Sequence, residues 1–114
     1  MNQREALIEK YAAELKEKFN TQPDMALLTK VTIGLGPSIY KPDAATVSSS
    51  DPSELERVKT NFLIGKLGLP DTPDLDEAIV EVVEHYGQSN RVKYRAVIYY
   101  LLTRHFGKES IYLS

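Results

Sequence analysis

The chain has no cysteine and no tryptophan among its 114 residues, and only two histidines. Each absence excludes something. Without cysteine there is no disulfide staple, no thiolate nucleophile and no thiolate ligand for a metal. With only His85 and His105 available, and with no His-x-x-x-His or Glu-x-x-His spacing, no metal centre is expected. Long apolar runs are also missing. The longest uncharged apolar stretch, 96–103, falls well short of the roughly 20 residues that span a bilayer. The first residues alternate charge with apolar side chains and contain no signal-like core, so no membrane association is expected and a cytoplasmic location is. Charge of one sign is lacking as well: 14 Lys and Arg against 16 Asp and Glu leave a net charge of -2, which gives no global field for nucleic acid or anionic lipid.

What is present is helical periodicity. From Gln3 to Phe19 the apolar residues Leu7, Ile8, Tyr11, Ala12, Leu15 and Phe19 recur every three or four positions, with Glu and Lys between them. Asp24 is placed to cap a second helix striped by Leu27, Leu28, Val31 and Leu35, which Gly34, Gly36 and Pro37 then stop. The stretch 37–50 has two prolines and no clear period, and is read as an internal loop with one short turn after Pro42. Asp51-Pro52-Ser53-Glu54 has the form of a capping box with proline at the first helical position, opening a helix to Leu67 striped by Leu55, Val58, Phe62, Leu63 and Leu67. Gly68-Leu69-Pro70 matches a left-handed cap, an apolar contact and a proline stop. A fourth helix begins after Thr72 or Asp74, turns Leu75, Ile79, Val82, Val83 and Tyr86 inward, and ends at Gly87.

The fifth segment decides the architecture. With Ser89 or Asn90 as cap and Gly107 as stop, it is apolar or aromatic on every side from Ala96 to Leu102, and such a helix must be enclosed by others. Strand formers occur in it, but the polar–apolar alternation of a half-buried strand is absent. The expected fold is therefore all-α: one compact domain, 1–114, of about five helices around a hydrophobic C-terminal helix, followed by a tail, 108–114, whose Ile111, Tyr112 and Leu113 fold back onto the body.

Three blocks resemble a known family: Leu28-Thr-Lys-Val-Thr-Ile-Gly-Leu-Gly-Pro-Ser-Ile-Tyr40, Val58-Lys-Thr-Asn-Phe-Leu-Ile-Gly-Lys-Leu-Gly-Leu69, and the run from Ser89-Asn-Arg-Val-Lys-Tyr through Tyr-Tyr-Leu-Leu-Thr-Arg-His-Phe-Gly-Lys-Glu-Ser110. The chain is similar over nearly its whole length to a small bacterial family, the domain of unknown function numbered 2853. The resemblance implies a compact cytoplasmic helical domain and brings no activity, cofactor or catalytic residue.

Three functional classes compete. Seven tyrosines without a tryptophan favour core edges and protein interfaces, where a ring is covered and its hydroxyl stays wet. A non-enzymatic protein-interaction or self-associating module, with a protein partner or a second copy of the chain, is the first expectation, with Tyr99 and Tyr100 at the centre of a patch on the last helix. The second is single-stranded nucleic acid held by Arg91, Tyr94, Arg95, Tyr99, Tyr100 and Arg104, with Lys93, since aromatics interleaved with cations stack bases. Nucleic acid is the disfavoured partner: Asp71, Asp74, Asp76, Glu77, Glu81 and Glu84 are expected to compensate the basic helix that follows them, and Arg91 and Arg95 share a face that Lys93 does not. The third is an enzyme with a cleft around Tyr40, His85 or His105. The sequence has no Gly-x-Ser-x-Gly elbow, and 34–40 lacks the features of a phosphate loop, so no catalytic residue and no cofactor are expected.

Overall fold

The structure is a computed structural model that describes residues 2–87 and 92–113. Seven α-helices run through them: α1 (Gln3–Phe19), α2 (Met25–Leu35), α3 (Pro42–Ala45), α4 (Pro52–Arg57), α5 (Pro73–Tyr86), α6 (Arg95–His105) and α7 (Ser110–Leu113). A 3₁₀ turn, Gly36–Tyr40, links α2 to α3, and a π-helical segment, Val58–Ile64, continues α4.

Short polar side chains start three of these helices by taking up otherwise unpaired amides. Asn2 accepts from the Glu5 N–H at 2.8 Å, Asp24 from Leu27 at 3.2 Å and Asp51 from Ser53 at 2.9 Å. Asp24 and Asp51 cap as expected, but the capping box at Asp51 does not close. Glu54 does not reach back to close a capping box; its carboxylate turns inward to Arg95 and Arg57.

The centre is α6, as its all-round apolar sequence requires. Ala96, Val97, Ile98, Tyr99, Tyr100, Leu102 and Thr103 are buried, and α1, α2, α3 and α5 all pack against it. Leu101, by contrast, is half-buried. The Tyr99 ring stacks on Phe62 of the π-helical segment with centroids 3.8 Å apart, and the Tyr100 hydroxyl accepts the Asp24 N–H at 2.7 Å. The core forms one continuous cluster, and the radius of gyration of 13.1 Å is that of a compact chain of this length, about 13 Å.

Three local features differ from the sequence-based expectation. The helix beginning at Asp51 widens at Val58, where the N–H of Gly65 reaches back five residues to Thr60 and that of Leu67 to Phe62. It still ends as expected, with Gly68 at φ +72° and the Leu69 N–H bonded to the Leu63 carbonyl. The last long helix begins at Arg95 instead of near Asn90, because the residues before it are engaged elsewhere. Lys93 accepts the Val47 N–H at 2.8 Å, Tyr94 forms an isolated antiparallel bridge with Thr46, and the Tyr94 N–H donates to the Tyr86 hydroxyl at 3.3 Å. The proposed caps Ser89 and Asn90 lie outside the described residues. Finally, 37–50 is more than a loop. It carries the 3₁₀ turn and α3, and it buries Ile39, Ala45 and Val47 one at a time, which leaves no periodicity to read.

The tail forms α7, which packs on α2. Tyr112 is half-buried there, beneath the Lys66 ammonium at 5.2 Å from its ring centre, while Ile111 and Leu113 remain exposed.

Candidate functional site

The basic and aromatic residues of the last helix do not share one surface. Arg95 points inward, donating to the Ala44 carbonyl at 2.7 Å, the Tyr99 hydroxyl at 3.0 Å, the Thr46 carbonyl at 3.3 Å and the Glu54 carboxylate. Tyr100 is fully buried and Tyr99 retains 9 % of its exposure, so neither offers a ring face to a base or a partner. Tyr94 is half-buried between the Tyr11 ring, 5.3 Å away, and the Lys10 ammonium at 5.2 Å. Arg104 is exposed with its guanidinium 5.9 Å from the Tyr100 ring centre, and Arg91 lies outside the described residues. The tyrosine–cation interleaving thus builds the core and its edge. An exposed patch centred on Tyr99 and Tyr100 is absent for the same reason that made α6 central: a helix apolar on every side has each side covered.

The two histidines do converge. His85 and His105, near the C-terminal ends of α5 and α6, line one cleft of about 360 Å³ with Phe19, Thr21, Glu81, Val82, Leu101 and Arg104; Tyr40 is not part of it. His85 stacks on Phe19 at 5.0 Å, and Phe19 meets Tyr86 edge-on at 5.1 Å. The cleft has no evident nucleophile–base pair. Its Thr21 hydroxyl donates to the Phe19 carbonyl at 2.9 Å, and among the described residues no three His, Asp or Glu side chains gather closely enough to hold a metal.

A different surface carries the unspent charge. The amphipathic period of α5 sends Leu75, Ala78, Ile79, Val82 and Tyr86 inward and therefore lines its outer face with Asp76, Glu77, Glu81 and Glu84. These acids were expected to be answered by the basic helix α6. Instead Lys59, in the π-helical segment, binds Asp71 at 3.4 Å and Asp76 at 3.3 Å, and the hydrogen bond to Asp76 holds its ammonium above the usual lysine range. Among the described residues Glu77, Glu81 and Glu84 have no ion-pair partner. Val80 stands among them with 46 % of its surface exposed. It is also on the wall of a groove of about 610 Å³ lined by Ser48, Ser49, Ser50, Leu55, Val80, Val83, Glu84 and Lys93. Val80 and Glu84 belong to both surfaces, so the groove, where Leu55, Val80 and Val83 stand beside three serines, Glu84 and Lys93, is continuous with the acidic face. Sequence reasoning did not find this site. The available signal was the stripe Glu77, Val80, Glu84, a valine at helical spacing among acids and off the inward face.

No helix among the described residues is long and apolar enough to cross a membrane. A family model described as "Protein of unknown function (DUF2853)" matches residues 10–110, and the chain belongs to that family. No curated protein matches the chain.

Proposed function

For a chain whose family description assigns no activity, we propose a non-enzymatic cytoplasmic protein-interaction module whose binding face is the outer side of α5 with the adjoining groove. The observation that supports it most is Val80: a large apolar side chain, 46 % exposed, set among three carboxylates that have no ion-pair partner among the described residues and opening onto a groove lined by Leu55 and Val83. The other charged groups near the core have internal work. Arg95 and Glu54 brace α6 to α4, and the Tyr86 hydroxyl donates to Glu14 at 2.6 Å. What remains outside is a face that costs solvation to bury only if its partner fails to match it. The test is retention of a discrete protein from cytosolic extract by the wild type and its loss from Val80→Asp, with sedimentation at micromolar concentration separating a foreign partner from a second copy. Equal retention by both proteins, or a strict monomer retaining nothing, would refute the proposal.

The enzyme alternative has one observation in its favour: His85 and His105 share a cleft with Glu81 and Arg104. It requires a turnover that His85→Ala and His105→Ala each abolish while folding is unchanged. Single-stranded nucleic acid has less support, since Arg95 is internal and the rings of Tyr99 and Tyr100 are covered.

A further inference from the structure

We infer that the groove beside α5 takes a basic amphipathic segment of a protein partner, an apolar side chain entering between Leu55, Val80 and Val83 while Lys or Arg residues one helical turn apart meet Glu77, Glu81 and Glu84. This rests on the interaction-module proposal and adds the chemistry of the partner.

The identification follows from charge and shape together. Glu77, Glu81 and Glu84 lie at helical positions i, i+4 and i+7, which places them along one side of α5, and Val80 falls between them at i+3. An anionic ligand is repelled by three carboxylates that have no ion-pair partner among the described residues, so phosphate backbones and anionic lipid surfaces are selected against. A small cation would satisfy the acids but leave Leu55, Val80 and Val83 wet. A volume of about 610 Å³ is room for one or two large apolar side chains in a site of the ordinary 300–1,000 Å³ class. A segment with apolar residues on one stripe and cations beside it covers both, as amphipathic helices do in hydrophobic grooves with acidic rims.

Two synthetic helices of about 18 residues, identical in their leucine stripe and carrying either lysine or glutamate elsewhere, are titrated into the isotopically labelled full chain. The lysine peptide is expected to bind, with amide shifts centred on Leu55, Val80, Val83 and Glu84. Its affinity should fall about tenfold between roughly 50 mM and 300 mM salt. The glutamate peptide and spermidine should each bind at least about tenfold more weakly. Glu81→Lys/Glu84→Lys, both exposed positions, should leave the melting temperature within a few degrees of wild type and weaken the lysine peptide about tenfold or more. Equal binding of both peptides, spermidine binding as tightly as the lysine peptide, unchanged affinity in the charge-reversed variant, or shifts centred on another face would overturn the inference. If the lysine peptide fails while a cytosolic partner is retained by wild type and Glu81→Lys/Glu84→Lys alike and lost from Val80→Asp, the basic-partner chemistry falls and the module proposal stands. If no partner is retained at all, the module proposal falls by its own test.

Discussion

Arg95→Ala is the perturbation that the structure makes most consequential outside the apolar core. The guanidinium ties α6 to α4, to α3 and to Thr46 just beyond it: it donates to the carbonyls of Ala44 and Thr46, to the Tyr99 hydroxyl and to the Glu54 carboxylate. Both charged side chains are largely covered, at 15 % exposure for Arg95 and 10 % for Glu54. Removing one partner of such a pair leaves the other as a buried charge and costs about 3–5 kcal/mol. Here the loss is softened, because Arg57 still donates to the second Glu54 oxygen at 2.8 and 3.1 Å. It is deepened by two backbone carbonyls that lose a charged donor. The net expectation is about 3 kcal/mol, a large share of the 5–15 kcal/mol that holds a domain together. In urea, with slopes of about 1–3 kcal/mol per molar, the midpoint should fall by about 1–3 M with the slope unchanged.

Two companion measurements separate this account from simple loss of packing. Arg95→Met/Glu54→Leu removes both charges and should be less destabilised than Arg95→Ala alone, since no buried carboxylate is left with one oxygen stripped of its donor. The second is acid titration. Burial pushes the Glu54 carboxyl up, but the hydrogen bonds from Arg95 and Arg57 outweigh it and hold the group below the usual carboxylate range. A depressed folded value means that the pair contributes fully above the unfolded carboxylate pKa of about 4.3, and that this contribution disappears as pH falls through the lowered value. Glu54→Gln should therefore flatten the acid limb of the stability curve. An Arg95→Ala loss below about 0.5 kcal/mol, or an unchanged acid limb in Glu54→Gln, would refute the reasoning.

Gly65→Ala should cost about 1–3 kcal/mol by chemical denaturation, because a Cβ there would sit 2.7 Å from the Asn61 carbonyl oxygen and 3.2 Å from that of Thr60. Leu102→Ala, in the fully buried row of α6, should cost about 2–5 kcal/mol, and Leu101→Ala, on the half-buried side, clearly less; equal losses would contradict the placement of α6. Tyr86→Phe removes the hydroxyl that donates to Glu14 at 2.6 Å and accepts from the Tyr94 N–H at 3.3 Å, and should lower stability by about 1–3 kcal/mol in thermal melts. Burial pushes Tyr11 and Tyr112 up to about 12, so ultraviolet titration should show both ionising late, and the stability they contribute below the unfolded tyrosine pKa of about 10 should be lost as pH rises toward 12.

The helical architecture was legible because its signals are local. Asp24 and Asp51 cap where they stand, Gly68 takes the left-handed turn that its neighbours announce, and an apolar surround from Ala96 to Leu102 can only be central. The π-helical widening was not legible, since Val58, Phe62, Leu63 and Leu67 are separated by four and by five and so satisfy either winding. The start of α6 was missed for a non-local reason. Lys93 and Tyr94 pair with Val47 and Thr46, and nothing in the periodicity of either segment encodes a contact between them.

The candidate site was hidden by an inference from sequence adjacency. An acidic helix followed by a basic one looks self-neutralising, but ion pairs form where side chains reach, and among the described residues no base of α6 pairs with an acid of α5. Arg95 is spent on Glu54 and two carbonyls, and Arg104 lies over Tyr100. Lys59 answers Asp71 and Asp76 from a third element. The near-zero net charge of -2 therefore conceals a local excess of carboxylate on α5. With a screening length of about 8 Å at physiological salt, that excess exerts little pull at a distance. At contact range such an excess selects for complementary charge, and because Glu77, Glu81 and Glu84 are exposed rim carboxylates, removing them should change the association rate of any partner docking there, and its salt dependence.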